Sequence, residues 1–206
     1  WLPPPADLKC LTGMWGGMMA GISGRGIRLC EPNVAYAWPI AYEYVPLHYT
    51  PVALGTFGQN LVVLTNGSPM ILAGTAPDSM DEIPMEFTQA CLSVRSVVSM
   101  GHGVAWASPD GLAYVGAGGP RLLMAGVLDR DDWLALNPSS IVACMYEGRY
   151  VASYDTPTGR KGFVLDPSNN AGIYFTDFGF TAAYTDDLQD ALYILEGLSI
   201  RKWDAG

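Results

Sequence analysis

A strand, turn, strand, turn, strand pattern returns about every 42 to 45 residues along this chain, and this period limits the possible folds more than any other feature. In the third repeat the apolar runs Val97–Val98, Val104–Ala107 and Leu112–Val115 alternate with turns at Gly101–Gly103 and Pro109–Gly111. Apolar runs between glycine-rich turns predict short antiparallel strands. The chain therefore divides into about five hairpin units. They span approximately residues 8–50, 51–94, 95–138, 139–179 and 180–206.

A single small hairpin sheet is marginally stable in water, so we expect neighbouring sheets to stack and to share an apolar layer. The repeat length is typical of a propeller blade. The sequence predicts an all-β fold: a β-propeller or part of one, with about five blade-like repeats of three to four antiparallel strands. Residues 1–206 would form one domain or the C-terminal part of a larger propeller. An open β-solenoid and a stack of sandwiches are the alternatives, because a repeat alone does not determine ring closure.

Local patterns refine this prediction. Asn66–Gly67 lies between two apolar runs, which favours a two-residue type I′ hairpin turn. Asp129 and the acidic residues after it precede an apolar stretch that ends at Asn137–Pro138, which predicts a short helix over 129–136. The connectors between units are each long enough for an outer strand and a crossing loop. They lie at approximately residues 33–50, 75–94, 121–138 and 168–179.

The composition constrains the surface of the protein. Only 15% of the residues are charged, against about 25% in an ordinary soluble domain. Coverage by other chains would explain this, and so would a compact β-fold with a surface rich in Gly, Ser and Thr. The formal net charge of −9 argues against tight binding of nucleic acid. No apolar run reaches the roughly 18 residues of a membrane span, and the Trp1–Pro5 start predicts a boundary inside a longer polypeptide.

The four cysteines, Cys10, Cys30, Cys91 and Cys144, have no C-x-x-C spacing and no neighbouring histidine. We therefore expect no zinc site, and the sequence predicts no metal and no cofactor. Free buried thiols are the default for cysteines of this kind. A disulfide between Cys10 and Cys30 across one sheet is geometrically conceivable as the alternative.

Candidate catalytic groups are few. His102 lies between two glycines and is expected to be exposed at a turn, whereas His48 lies in a Tyr-rich connector and is expected to pack. Acidic groups at 78–82, 129–132 and 186–190 would suit glycoside hydrolysis as pairs, but each falls at a turn or connector, where carboxylates are usually solvated. We predict no catalytic residue and no enzyme activity. A carbohydrate-binding or glycoside-hydrolysing propeller and a generic protein-interaction propeller are the alternatives.

Residues that bind partners are expected at the turn tips, because loops carry the variable contacts of such scaffolds. The candidates for partner contact are Trp38, Arg130, Trp133 and Arg149.

Several short segments of the sequence resemble, in their order and spacing, bacteriophage virion structural proteins of the tail-hub or nozzle type, also called phage stabilisation proteins. The resemblance runs from Trp1 through Tyr154, and the remainder departs from it. The segments are Trp1–Pro5, Cys30–Pro32, Ala37–Pro39, Leu61–Gly67, Gln89–Cys91, Arg95–Ser96, Ala107–Leu112, Arg130–Trp133 and Glu147–Tyr150.

The resemblance implies a non-enzymatic propeller in the virion tail or head-tail connector, assembled in the host cytoplasm and present in several copies as a homo-oligomer. Its partners would be portal-adaptor, tail or fibre proteins, with no membrane contact. The oligomer would surround a DNA conduit through which DNA only passes. An acidic lining would suit such passage, because carboxylates repel phosphates. The family pattern implies no catalytic residues.

Overall fold

The computed structural model describes residues 2–167 and 172–203. Trp1, the first part of the last connector (168–171) and the end of the fifth unit (204–206) lie outside the described residues. The described chain is all-β, with five separate antiparallel sheets of three or four strands and one short α-helix. None of these sheets closes into a barrel. The coarse prediction of an all-β chain made of about five small antiparallel sheets is confirmed.

The sheets follow one another along the chain. Sheet 1 contains β1 (Lys9–Gly13), β2 (Met19–Ser23), β3 (Gly26–Leu29) and β4 (Glu43–Tyr44). Sheet 2 contains β5 (Pro51–Phe57), β6 (Asn60–Thr65), β7 (Met70–Ala73) and β8 (Asp81–Pro84). Sheet 3 contains β9 (Val98–Ser99), β10 (Gly103–Ser108), β11 (Gly111–Gly116) and β12 (Gly119–Leu122).

Sheet 4 contains β13 (Val142–Tyr146), β14 (Arg149–Thr156), β15 (Gly159–Leu165) and β16 (Ile173–Thr176). Sheet 5 contains β17 (Ala182–Asp186), β18 (Ala191–Glu196) and β19 (Ser199–Lys202). In every sheet the strands pair in chain order. Short 3-10 turns lie at Trp15–Gly17, Ile40–Tyr42, Val94–Ser96 and Pro138–Ser140.

Apolar side chains on both faces of the inner sheets join each sheet to the next. In β6, Leu61 and Val63 pack towards sheet 1, whereas Val62 and Leu64 pack towards sheet 3. This two-sided burial explains why β6 reads as a continuous apolar run and not as an alternating strand. The other junctions follow the same plan, with Leu112 and Phe163 between sheets 3 and 4, and Val151 and Ile194 between sheets 4 and 5.

The first strands of consecutive sheets lie beside one another. Strand β1 contacts β5, β5 contacts β9, β9 contacts β13, and β13 contacts β17. A hydrogen bond of 2.9 Å from the backbone N–H of Thr56 to Oγ of Ser99 links β5 to β9. The five sheets are therefore stacked in sequence order with their first strands towards one side.

The loop predicted as a two-residue type I′ turn has a different conformation. Neither Asn66 nor Gly67 has positive φ, so the type I′ prediction there is wrong. Instead, the Thr65 hydroxyl accepts a hydrogen bond from the Gly67 N–H (3.0 Å) and donates one to the Ser68 carbonyl (2.8 Å), which fixes a four-residue loop. A two-residue turn with two positive φ values lies at Glu147–Gly148, at 48° and 72°, between β13 and β14.

The predicted helix and outer strands are present. Helix α1 spans Arg130–Ala135, and the carboxylate of Asp129 caps it by accepting a hydrogen bond of 2.8 Å from the Asp132 N–H. The first connector contains β4 and the second contains β8. The third contains the last part of β12 followed by α1, and the described part of the fourth contains β16. Each β-strand in these connectors pairs with the third strand of its own sheet.

Candidate interaction surface

Trp133 lies in the core and not at an exposed turn tip. Its side chain is 1% exposed, and its ring meets the ring of Phe163 edge to face at 6.5 Å. The indole Nε1 donates to the Ser108 carbonyl over 2.8 Å. The prediction of Trp133 as a partner contact is therefore wrong, because helix α1 turns this side chain towards the layer between sheets 3 and 4.

Trp38 is also buried, with 3% of its surface exposed. Its indole Nε1 donates to the Ala35 carbonyl at 2.9 Å, and its backbone N–H donates to the Leu2 carbonyl at 2.8 Å. These bonds close the connector between β3 and β4 and attach the amino-terminal segment to it. Because the indole is buried, the prediction that Trp38 contacts a partner is wrong as well.

Arg130 and Arg149 are exposed, and their role as partner contacts stays a prediction. The guanidinium of Arg130 pairs with the carboxylate of Asp110 at 2.8 Å, with both side chains largely in solvent. Arg149 begins β14 beside a groove of about 190 Å³ that Glu147, Tyr174 and Trp203 also line. The two arginines thus lie on different sheets and do not form one site with each other.

A cluster of hydrogen bonds that the sequence did not predict surrounds Gln89; we call it the polar corner. The Ser108 hydroxyl donates to Oε1 of Gln89 at 2.8 Å, and Nε2 of Gln89 donates to the Asp110 carboxylate at 2.8 Å. The Gln89 carbonyl accepts a bond of 3.1 Å from Nε1 of Trp106. With the Asp110–Arg130 pair and the Trp133–Ser108 bond, this corner brings together three of the segments that carry the phage resemblance.

Two further pairs of these segments meet in the same way. The buried hydroxyl of Tyr150 donates to the Ser96 carbonyl at 2.7 Å, which joins sheet 4 to the turn before β9. The backbone N–H of Glu31 donates to the Ala37 carbonyl at 2.8 Å. These segments therefore form hydrogen-bonded corners between sheets or within connectors. The signal that could have found Gln89 was its place in one of these segments.

The histidines lie on the surface. His102 is exposed at a turn, as predicted, with its ring centroid 6.0 Å from that of Tyr114. His48 is exposed too, so the prediction that it packs is wrong. It lines a groove of about 350 Å³ together with Leu47 and Tyr49 of the connector before β5, Glu82 and other residues of sheet 2. Nothing in this groove pairs the imidazole with a nucleophile at hydrogen-bond distance among the described residues.

All four cysteines are free thiols. Sγ of Cys10 donates to the Val52 carbonyl, and Sγ of Cys30 accepts from the Met19 N–H at 3.0 Å, so the alternative of a disulfide between them is wrong in this structure. Burial raises the pKa of the Cys91 and Cys144 thiols to about 12. No group of three or more His, Cys, Asp or Glu side chains within residues 2–167 and 172–203 is placed to hold a metal ion.

Sheet 5 has one covered face and one uncovered face. Ala183, Leu192 and Ile194 face sheet 4 and pack against it. Alternation along the strands turns the neighbouring residues to the opposite side. We call that side the open face; it consists of Ala182, Tyr184, Tyr193, Leu195 and Ile200.

The open face is apolar and accessible. Tyr184 is 66% exposed and Ile200 is 76% exposed. The open face lines a shallow groove of about 410 Å³. Large apolar side chains grouped in this way on a surface mark a site of contact with another macromolecule. The open face is therefore the principal candidate interaction surface of the described chain.

Comparison with known proteins gives likeness of fold alone. No protein-family model matches the chain, and curated proteins give no significant match. The chain is similar to the extracellular domain of a hybrid two-component system of B. thetaiotaomicron, with 11% identity and a TM-score of 0.58, covering 94% of this chain and 26% of that one. A second structure, the extracellular domain of a one-component system of the same bacterium, gives 12% identity and a TM-score of 0.57, covering 94% of this chain and 27% of that one.

A third similar structure is PorZ, a surface component of the type-IX secretion system of Porphyromonas gingivalis, with 10% identity and a TM-score of 0.48. It covers 97% of this chain and 27% of that one. The chain thus spans about a quarter of the length of these three solved chains. None of the helices within the described ranges has the length and apolar character to span a membrane.

Proposed function

We propose that this chain forms consecutive blades of a β-propeller and acts as a non-enzymatic structural component of a bacteriophage virion, in the tail or head-tail connector. The virion assignment comes from the ordered sequence segments described above. Their positions support a structural role, because Ser96, Gln89, Ser108 and Tyr150 hold sheets and connectors together. In this proposal the chain contributes shape and contact surface to a larger particle.

The order of the sheets supports the propeller. Each sheet is an antiparallel meander, each packs face to face on the next, and the first strands lie side by side. Radial stacking of such sheets is the arrangement of propeller blades, in which neighbouring blades bury the apolar faces that a single blade would expose.

The observation that carries the assembly role is the open face of sheet 5. Leu195 and Ile200 lie on it in a cross-strand pair, on the side of the sheet away from sheet 4. At the four internal junctions, apolar side chains on corresponding faces are buried by the next sheet. Burial of apolar surface contributes about 25 cal/mol for each Å² removed from water, so covering the open face would stabilise an assembly. The open face therefore fits a contact that is completed in the particle.

The test is the content of the virion. In gradient-purified particles of a phage that encodes the chain, quantitative mass spectrometry should find the chain at a fixed copy number per particle. An Ile200→Glu variant should be lost from particles, because it places a charge on the open face. The matched Leu188→Glu variant changes a turn residue of the same sheet that is 99% exposed, and it should be retained.

Particles that lack the chain, with the chain confined to the unassembled fraction, would overturn the proposal. Equal incorporation of the two variants would show that the open face is not the contact. Circular dichroism of both variants must match the unchanged protein, so that loss from particles is not loss of folding.

A further inference from the structure

The outer edge of sheet 5 differs from the edges of the other sheets. In sheets 1 to 4, the third strand pairs on its outer side with a fourth strand, namely β4, β8, β12 or β16. Within residues 2–167 and 172–203, β19 pairs only with β18. An unpaired edge presents a row of backbone N–H and C=O groups that a further strand can bind.

The side chains of β19 give this edge a charge. Arg201 and Lys202 lie next to each other on a chain with 11 basic and 20 acidic residues. Lys202 lies on the same side of sheet 5 as Ile200, beside the open face, and Arg201 lies on the opposite side, where its guanidinium is 3.2 Å from the Glu196 carboxylate. All four residues of β19 are exposed.

We propose that β19 binds an extended, acidic strand of a partner protein in antiparallel pairing. This inference rests on the proposed function, since it names the chemistry of the partner that covers sheet 5. Read from its amino end, the bound strand carries two acidic residues opposite Lys202 and Arg201, followed by an apolar residue opposite Ile200. Opposite charges directly across strands stabilise the pair, whereas like charges destabilise it. The apolar residue extends the open face by one strand.

The chain itself shows that such a segment serves as a fourth strand. Strand β8 has the order acidic, acidic, apolar at Asp81, Glu82 and Ile83, and it pairs with β7 through Ala73, Leu72 and Ile71. The residues of β7 that face the two carboxylates, Ala73 and Leu72, are uncharged, whereas the corresponding residues of β19, Lys202 and Arg201, are basic. An acidic fourth strand therefore gains attraction at β19 that it lacks at β7.

The experiment uses the chain described here and a blocked peptide, acetyl-Thr-Val-Glu-Glu-Ile-Thr-Val-amide, with binding measured by calorimetry and by amide shifts in β19. A basic peptide has lysine in place of both glutamates. A third peptide keeps the acidic side chains but has N-methyl groups on alternate backbone nitrogens. The acidic peptide should bind about tenfold more tightly than the basic one, and the N-methylated peptide should not bind, because it cannot form the ladder.

Charge reversal sharpens the test. The double variant Arg201→Glu with Lys202→Glu should prefer the basic peptide. The matched double variant Lys9→Glu with Arg25→Glu has the same change in net charge at exposed positions of sheet 1 and its turn, and it should keep the acidic preference. Retention of the acidic preference by the β19 variant, or equal binding of all three peptides, would overturn the inference.

Self-association of the chain that the β19 variant abolishes, with no peptide bound, would make the occupant a second copy and would also overturn the stated chemistry. The peptide test does not depend on virions. Peptide binding with no chain in particles would remove the virion assignment alone, and incorporation into particles without peptide binding would remove this inference alone.

Discussion

The indole Nε1 of Trp133 donates a hydrogen bond of 2.8 Å to the carbonyl oxygen of Ser108, at the end of β10. Arg130, three residues earlier on the same helix, pairs with Asp110 in the adjoining turn. Positions i and i+3 lie on one side of a helix, so both side chains reach the same hairpin. Helix α1 is thereby attached to the tip of sheet 3.

Trp133→Phe should lower the free energy of unfolding by about 1 to 3 kcal/mol, because it removes the buried indole N–H that donates to the Ser108 carbonyl. Urea unfolding at neutral pH measures the change. The exposed neighbour Leu134→Ala should cost about 0.5 kcal/mol or less. Equal effects of the two substitutions would contradict a role for the indole N–H.

Tyr150→Phe tests the bond between sheets 3 and 4. The Tyr150 side chain is fully buried and donates to the Ser96 carbonyl, so loss of its hydroxyl should cost about 1 to 3 kcal/mol. Tyr174, which is 72% exposed, gives the matched change Tyr174→Phe with almost no effect. Chemical denaturation of both variants separates the outcomes, and an unchanged Tyr150→Phe midpoint would show that the hydroxyl adds no stability.

Gly55→Ala tests the packing of sheet 2 on sheet 3. A Cβ at Gly55 would lie 2.5 Å from Cγ1 of Val104, so alanine should destabilise the protein by about 1 to 3 kcal/mol. A Cβ at Gly13 meets no atom within 4 Å, and Gly13→Ala should leave stability unchanged or slightly raised. Thermal unfolding of the two variants measures the difference in stability. A Gly55→Ala protein as stable as Gly13→Ala would mean that the two sheets are not in close contact.

The buried thiol of Cys91 should make stability fall in alkaline solution. Burial raises the pKa of this thiol from its ordinary 9.0 to about 12. As pH rises, the Cys91 thiol of the unfolded chain ionises before the buried thiol of the folded protein. The stabilisation from the buried neutral thiol is therefore fully present below pH 9, and the free energy of unfolding falls by about 1.4 kcal/mol per pH unit between pH 9 and 12. Unfolding of Cys91→Ala at pH 8 to 11 should show a shallower decline than the unchanged protein, and parallel declines would refute this origin.

The strand order could be predicted because the turns and apolar runs are local signals. Leu61–Leu64 is bounded by turn residues on both sides, and it forms β6 as expected. Helix α1 was also predictable, because the acidic first turn and the Asn137–Pro138 stop are read directly from the sequence. The Asn66–Gly67 turn was mispredicted because the Thr65 side chain competes for the loop backbone, which turn statistics do not include.

The candidate site was harder to predict because it depends on which side of each loop faces the core. Trp38 and Trp133 are amphipathic side chains, and sequence alone does not say whether the ring contacts a partner or fills a layer between sheets. The open face depends on which side of sheet 5 meets sheet 4. Tyr184 and Ile194 are both apolar residues of strands, yet only the three-dimensional arrangement separates the exposed one from the buried one.

Because the sheets stack in chain order, the free energy of local opening differs from one sheet to another. Sheets 2, 3 and 4 each pack against apolar neighbours on both faces, whereas sheets 1 and 5 each pack against one neighbouring sheet. Opening of sheet 5 exposes one apolar layer to water, whereas opening of an inner sheet exposes two. Local opening is therefore expected to begin at sheets 1 and 5 and to advance inward one sheet at a time, and a partner bound to Tyr184 and Ile200 would oppose it at sheet 5.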